Sequence, residues 1–362
     1  MAHLPTELTR WIIAAGDDLD ERADGAATIL PRLADADVLR IGVPRALGGL
    51  GGGVNDAVAA IAAVSGHSLA SGFVLWGHRT FIEYLLQSPN DALRERLLPD
   101  LLAGRRAGAT GLSNAMKYLA GVESLQIQAT TQDGVRKVTG KLPWVTNLRA
   151  AGFDVAAAIQ GEGGSTPFIA SLSSDSAGVL RSPDLALMGM RASSTAAVDL
   201  ADVRVSDDDI IHPDAGQWLP QVRPAFLGLQ CAMSIGLARR ALAETEAKLN
   251  KNRDVLAAEV DALSRDLDIA EVQLTAGLHD ARFVAAPAPL FRLRLQFAAI
   301  VAAAVQLELA ASGGQAYLSE PGRAFQRRLR EAAFVPIITP SLVQLKTVLR
   351  EHERRQASIE TA

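Results

Sequence analysis

Two periodicities, placed in an unusual order, limit what this chain can become. Near the N-terminus, "ADGAATILPRLADADVLR" and "VNDAVAAIAAVSGHSLASGF" are alanine-rich and repeat apolar residues every three to four positions, the spacing of a helix face. Around residue 106 this texture stops. "SLQIQATTQDGVRKVTGKLPWVTN" alternates, is rich in Thr and Val, and carries Asp133-Gly134, a strong hairpin signal. "FDVAAAIQ", "TPFIASL" and "AVDLADVRV" read as further short strands. From Val222 the helical spacing returns. Leu256, Val260, Leu263, Leu267, Ala270 and Leu274 form one stripe; Leu290, Leu293, Phe297, Ile300, Ala304 and Leu307 form another, which ends at Gly313-Gly314. A last helix is expected to start near Pro340. Helices, then strands, then helices is an order few folds share.

Composition narrows the function. The chain has 362 residues, 49% hydrophobic and 21% charged, which is enough to build a large core. Its net charge is −4 with cations scattered, which argues against a nucleic-acid face. The lone Cys231 sits among apolar neighbours and reads as inert core. The six histidines (His3, His67, His78, His212, His279 and His352) form no ligand-spaced pair, so no metal is expected. The N-terminus is acidic within two turns and does not read as a signal peptide. The run "FAAIVAAAVQLELAAS" reads as too short for a bilayer and contains Gln306 and Glu308. A soluble, cytoplasmic protein with no membrane partner is the expectation.

One stretch invites a ligand. In "GKLPWVTNL", residues 140–148, strand geometry puts Trp144 and Thr146 on one face and Val145 on the other. A core Trp beside a solvent Thr is the ordinary reading; a platform for a flat ligand is the sharper one. No GxGxxG opens a βα unit and no phosphate-cradling Walker loop is present, so neither nucleotide fold applies.

Four segments in order resemble the acyl-CoA dehydrogenase superfamily of flavoproteins: "IGVPRALGGLGGG"; "TGLSNA" with "GKLPWVTN", similar to that family's flavin-contacting β elements; "LMGMRASSTAAVDLADVRV"; and "ASGGQAYLSEPGRAFQRRLREAAFVPI". The resemblance implies an α+β, mainly α fold. An N-terminal helical domain would span 1–105, a middle β-barrel or sandwich domain 106–212, and a C-terminal four-helix bundle 213–362. It implies FAD, with FMN or a reduced flavin as alternatives. A small-molecule substrate such as an acyl-CoA thioester and a homodimer or homotetramer are also implied.

By the same resemblance, Trp144 packs near the flavin ring. Thr146 offers its hydroxyl or N–H to the reactive ring nitrogen, and Leu112 and Ser113 lie at the pyrimidine side. Ser341 is another flavin-contacting hydroxyl, Gly314 lies near the pyrophosphate, and Arg253 is a remnant of a diphosphate-holding segment. Arg191 becomes a charge partner in the cleft. The family's α-proton base, however, is missing. Thr339 stands where a glutamate is usual, and Val222 stands at the alternative glutamate position; neither accepts a proton near neutral pH. Glu331 and Glu83 are carboxylates whose ordinary reading is structural. Relatives that use reduced flavin and dioxygen need no such base, and His78 would then hydrogen-bond the bound oxidant or the substrate. Three expectations follow: an atypical flavin oxidoreductase, a reduced-flavin monooxygenase, or a non-enzymatic flavin-binding or assembly module.

Overall fold

A computed structural model describes residues 4–249 and 254–360. The first helices are α1 (Thr6–Glu21), α2 (Ala26–Asp35), α3 (Val54–Ser65), α4 (Leu69–Leu86) and α5 (Asp91–Leu102). Capping sets their starts. The Ser68 hydroxyl accepts from Ser71 N above α4, and Asn90 accepts from Leu93 N above α5. The glycine-rich connector 41–53 is a tight double turn, with Gly51 N bonded to Val43 O.

The strands follow: β1 (Ala107–Thr110), a short helix α6 (Ser113–Leu119), β2 (Gln128–Gln132), β3 (Val135–Val145), β4 (Phe153–Ile159), β5 (Phe168–Ser173), β6 (Val179–Arg181), β7 (Ala196–Arg204) and β8 (Ile210–His212). They make two four-stranded sheets, in the orders β1-β4-β5-β8 and β2-β3-β7-β6. Only β1 with β4 is parallel. Asp133 and Gly134 form the β2–β3 turn with φ of 51° and 74°, which suits a two-residue primed hairpin. In β3, the register with β7 slips between Leu142 and Val145. Three steps on β3 there match two on β7, a bulge at Pro143-Trp144 where proline has no N–H to give the ladder.

The remaining helices are α7 (Ala215–Glu246), α8 (Ala257–His279), the single turn α9 (Arg282–Ala285), α10 (Ala288–Ser312), α11 (Arg323–Phe334) and α12 (Leu342–Glu360). α7 starts at Ala215, ahead of Val222, from which the helical spacing is read. Asp214 caps it by accepting from Gln217 N at 2.9 Å, and the buried Trp218 anchors its first turns despite Pro220 and Pro224. The predicted α8 stripe turns Val260, Leu267, Ala270 and Leu274 inward. Cys231 lies in this core, its thiol pushed up to about 12 by burial. The apolar run read as too short for a bilayer lies in α10, whose bounds follow the predicted stripe and its stop at Gly313. Ala288–Tyr317 is long and apolar enough to cross a membrane, as is Arg323–Arg355, but over half of the former's apolar window is buried against the bundle.

α3 and α7 cross with almost no room. A Cβ on Gly236 would lie 2.1 Å from Ala62 O and 2.8 Å from Gly66 N. We therefore expect Gly236→Ala to cost about 1–3 kcal/mol by forcing the helices apart. A Cβ on Gly314 meets nothing within 4 Å, so Gly314→Ala is expected to stay within about 0.5 kcal/mol. Thermal unfolding of the two variants side by side checks both.

Candidate functional site

A cavity of about 370 Å³ opens where the sheets meet the bundle, within the size range of small-molecule sites. Its sheet wall is Trp144 with Pro143 and Thr146. Trp144 is 63% exposed, because the bulge turns it out of the sheet, while Val145 is buried on the other side. Thr146 is buried, and its hydroxyl donates to Ser193 O at 3.1 Å. The ordinary reading, a core Trp and a solvent Thr, is thus reversed in the fold. Asn147 then turns with φ 61°, a left-handed conformation that asparagine tolerates, and its amide donates to Gly108 O.

The helical wall is aromatic. Phe73 and Trp76 of α4 stack with ring centroids 5.4 Å apart and planes 5° apart. Phe334 meets Phe73 edge-on at 5.0 Å, and Phe226 of α7 meets Trp76 at 5.6 Å. Trp76 Nε1 is buried without a partner among the described residues. Ile337, Ile338 and Thr339 close one end; Thr110, Ser113, Leu187 and Thr195 complete the lining. Among the described residues, no carboxylate lines the cavity. Its one ionisable lining group, Lys117, is held by Glu123 at 2.6 Å.

Of the residues proposed from sequence, Trp144, Thr146, Ser113 and Thr339 come together in this slot. Ser113 does so from a helix, not a β element, since it opens α6. Leu112 is fully buried behind it and does not line the slot. Ser341 caps α12: Gln344 N donates to its Oγ at 3.4 Å, and its own N–H donates to Gln344 Oε1 at 2.6 Å. Gly314 is exposed in a turn after α10 and lines none of this cavity. Val222 is buried in α7. Arg253 lies outside the described residues.

Two expectations need correction. His78 cannot meet a ligand. It is fully buried, its Nδ1 accepts from Gly108 N at 3.0 Å, and its Nε2 faces Leu101 O at 3.0 Å. The first bond makes Nε2 the protonated nitrogen, and burial lowers the pKa to about 4, so the ring stays neutral. Arg191 is not a charge partner in the cleft: it is exposed, its Nε donates to Leu187 O, and among the described residues no carboxylate pairs with it. The two carboxylates read as structural, Glu83 and Glu331, do not line the slot. Glu83 pairs with the buried Arg79 at 2.8 Å. Glu331 accepts from Leu69 N at 2.8 Å, capping α4.

The sequence reading missed the aromatic wall. Phe73, Trp76 and Phe226 sit inside helical runs whose every face is buried, so their spacing alone did not mark them.

Residues 10–105 match the family described as "Acyl-CoA dehydrogenase, N-terminal domain". Over these residues the chain is similar to the N-terminal domain of the acyl-CoA dehydrogenases. Over 196 residues it is 28% identical to the mitochondrial isovaleryl-CoA dehydrogenase of Pongo abelii. That match covers 52% of this chain and 46% of that protein, about half the length of the relative. Among solved structures, a glutaryl-coenzyme A dehydrogenase bound to glutaryl-CoA superposes with a TM-score of 0.80 at 16% identity, covering 97% of this chain and 95% of that one. KijD3 in complex with FMN and dTDP-3-amino-2,3,6-trideoxy-4-keto-3-methyl-D-glucose gives 0.79 at 19%, covering 96% and 91%. The dibenzothiophene monooxygenase of Paenibacillus sp. A11-2 gives 0.74 at 18%, covering 95% and 94%. At these identities the structural likenesses speak for the fold.

Glu331 offers a direct check on its structural role. Burial lifts its carboxyl from an ordinary 4.5 to about 7. The folded state therefore holds a proton that the unfolded chain releases near 4.5. The stability this supplies is complete below that pH and lost as pH rises through about 7. Glu331→Gln removes this contribution. Relative to the variant, the wild type should lose melting temperature between pH 4.5 and 7, which scanning fluorimetry across that range would show.

Proposed function

We propose that this protein is a flavin-dependent oxidoreductase whose chemistry needs no carboxylate base. The observation that carries the reading is the slot: an exposed indole on one side, an aromatic wall on the other, hydroxyls at the edges and no acid in the lining. An isoalloxazine ring suits such a place. It needs a flat apolar face, which Trp144 supplies, and a few placed polar groups, which Thr110, Ser113 and Thr146 supply. The unpartnered Trp76 Nε1 is a buried donor of the kind a bound ligand satisfies. FAD is the favoured form, with FMN the alternative. No intrachain packing requires the glycine at 314, so its place near a pyrophosphate, in this subunit or a neighbour, rests on the family resemblance. Bound flavin would supply hydride acceptance when oxidised, or activation of dioxygen when reduced.

What the chain's own residues would do is bind, orient and exclude water. A dehydrogenase acting on a thioester must remove an α-proton, and Thr339 cannot take one. Lys117 is tied to Glu123. This absence favours the reduced-flavin monooxygenase over the thioester dehydrogenase, since oxygen transfer to an apolar substrate places no such demand. Exposed Tyr317, Leu318, Ile337 and Val343 accord with assembly into a homodimer or homotetramer.

Two measurements test this. Purified protein with FMN or FAD, a flavin reductase and NADH should consume oxygen in a substrate-dependent way and should not bleach anaerobically with acyl-CoA thioesters; anaerobic bleaching would return the protein to the dehydrogenases. Trp144→Ala should weaken flavin binding about tenfold, the worth of one aromatic stacking contact. The melting temperature should stay unchanged because the indole is exposed. A fluorescence titration of flavin against both proteins decides it.

A further inference from the structure

One turn of α7 sets Arg223 and Phe226 on the same face. Phe226 lines the slot; Arg223 lines a second cavity of about 130 Å³, with Met116, Phe291, Pro340 and Gln344 around it. The two spaces adjoin. Lys117 lines both, and the consecutive residues Thr339 and Pro340 belong one to each.

Among the described residues, Arg223 is a cation without a counter-ion. Its guanidinium lies 5.4 Å from the centroid of the Phe291 ring, and its Nε is buried with no partner among the described residues. Among the described residues no carboxylate is within ion-pair distance of it, whereas the buried Arg79, Arg327 and Arg328 each hold one. Lys117 beside it is already neutralised by Glu123. Burial also lowers the Arg223 pKa, as expected where nothing compensates the charge. A half-buried guanidinium of this kind is costly alone and well suited to a planar or tetrahedral oxyanion, which accepts two parallel hydrogen bonds from its fork.

We propose that Arg223 is the anion receptor for an elongated substrate, with an apolar ring-bearing body in the slot and a carboxylate or phosphate group in the adjoining cavity. This rests on the reading of the slot as a substrate site. The placement follows from the lining. The aromatic wall takes the body, the sheet wall is left to the flavin, and the anion is the one polar end the site can fix. It would make Arg223 a specificity-determining residue: neutral analogues would enter the slot but lack an anchor.

The test uses the full chain without flavin, titrated with 2-naphthoate, 2-naphthyl phosphate and neutral 2-naphthamide, and read by quenching of Trp76 and Trp144 fluorescence. At least one anion should bind about tenfold more tightly than the amide, the scale of a charge-assisted hydrogen bond; which one identifies the oxyanion. Arg223→Gln should erase the preference, Arg223→Lys should keep part of it, and FMN binding should be the same in all three proteins. An amide that binds as well as both anions in the wild type overturns the proposal, even if the glutamine variant fails to fold. So does a preference that survives in Arg223→Gln. A variant that loses FMN but keeps the naphthoate preference assigns Arg223 to the cofactor's phosphate and overturns it too. Wild-type protein that binds no flavin yet prefers naphthoate upholds the receptor and removes the flavin reading alone.

Discussion

A single buried arginine sets the shape of the slot. Arg294 of α10 is completely buried. Its Nε donates to Gln230 Oε1 at 2.8 Å and its Nη2 to Val335 O at 2.6 Å. Gln230 in turn donates through Nε2 to Thr339 O at 2.9 Å. The loop 335–339 is thereby fastened at both ends to two bundle helices. Its side chains at 337–339 close the cavity. No carboxylate answers the Arg294 charge among the described residues, and Nη1 has no partner. Desolvation lowers its pKa accordingly. An arrangement that holds a loop through amide and carbonyl oxygens, in place of an ion pair, puts no acid beside the reaction space.

The opposite wall depends on a bulge and a histidine. An extra residue in β3 at Pro143-Trp144 rotates the indole out of the sheet, while the strand beyond it re-enters register at Val145. His78 bonds Gly108 N on β1 and Leu101 O on α5, and Asn147 reaches Gly108 O from the other side. The residues flanking Trp144 and Thr146 are thus clamped to α4 and α5. On the third side, Asp20 accepts from Met190 N at 2.6 Å and from Arg330 Nε at 2.7 Å, fixing the turn that delivers Leu187 and Thr195 to the cavity. Each wall is pinned by polar contacts that lie outside the cavity, leaving its lining free for a ligand.

These differences explain what could be read from the sequence. The order of helices, sheets and helices, the hairpin at Asp133-Gly134 and the end of α10 before Gly313 were legible because they follow from periodicity and turn chemistry, which are local. The placing of Trp144 and Thr146 on one wall of a cavity was legible for the same reason. The role of His78 was not. A histidine in a helix gives no sign of whether a backbone N–H from residue 108 will reach it. The aromatic wall was hidden because α4 is buried on every face, so no stripe distinguished Phe73 and Trp76 from core. The helical nature of Ser113 was obscured by a turn of only seven residues between strands.

The electrostatics of the site then argue as a whole. Carboxylates in this protein are placed as ties: Glu331 to the start of α4, Glu308 to Arg328 at 2.8 Å through Nε, Glu83 to Arg79, Glu123 to Lys117. None is left to titrate inside the slot. The cations near it are less completely matched, since Arg294 and Arg223 have no acidic partner among the described residues. In a low-dielectric cleft such an imbalance favours whatever carries negative charge. An electron-rich reduced ring and an anionic substrate both do. Proton abstraction from a neutral carbon has no base to carry it out, because no carboxylate lines the slot among the described residues. The same geometry that leaves Thr339 where a glutamate would stand therefore makes the slot better suited to holding anions than to removing protons.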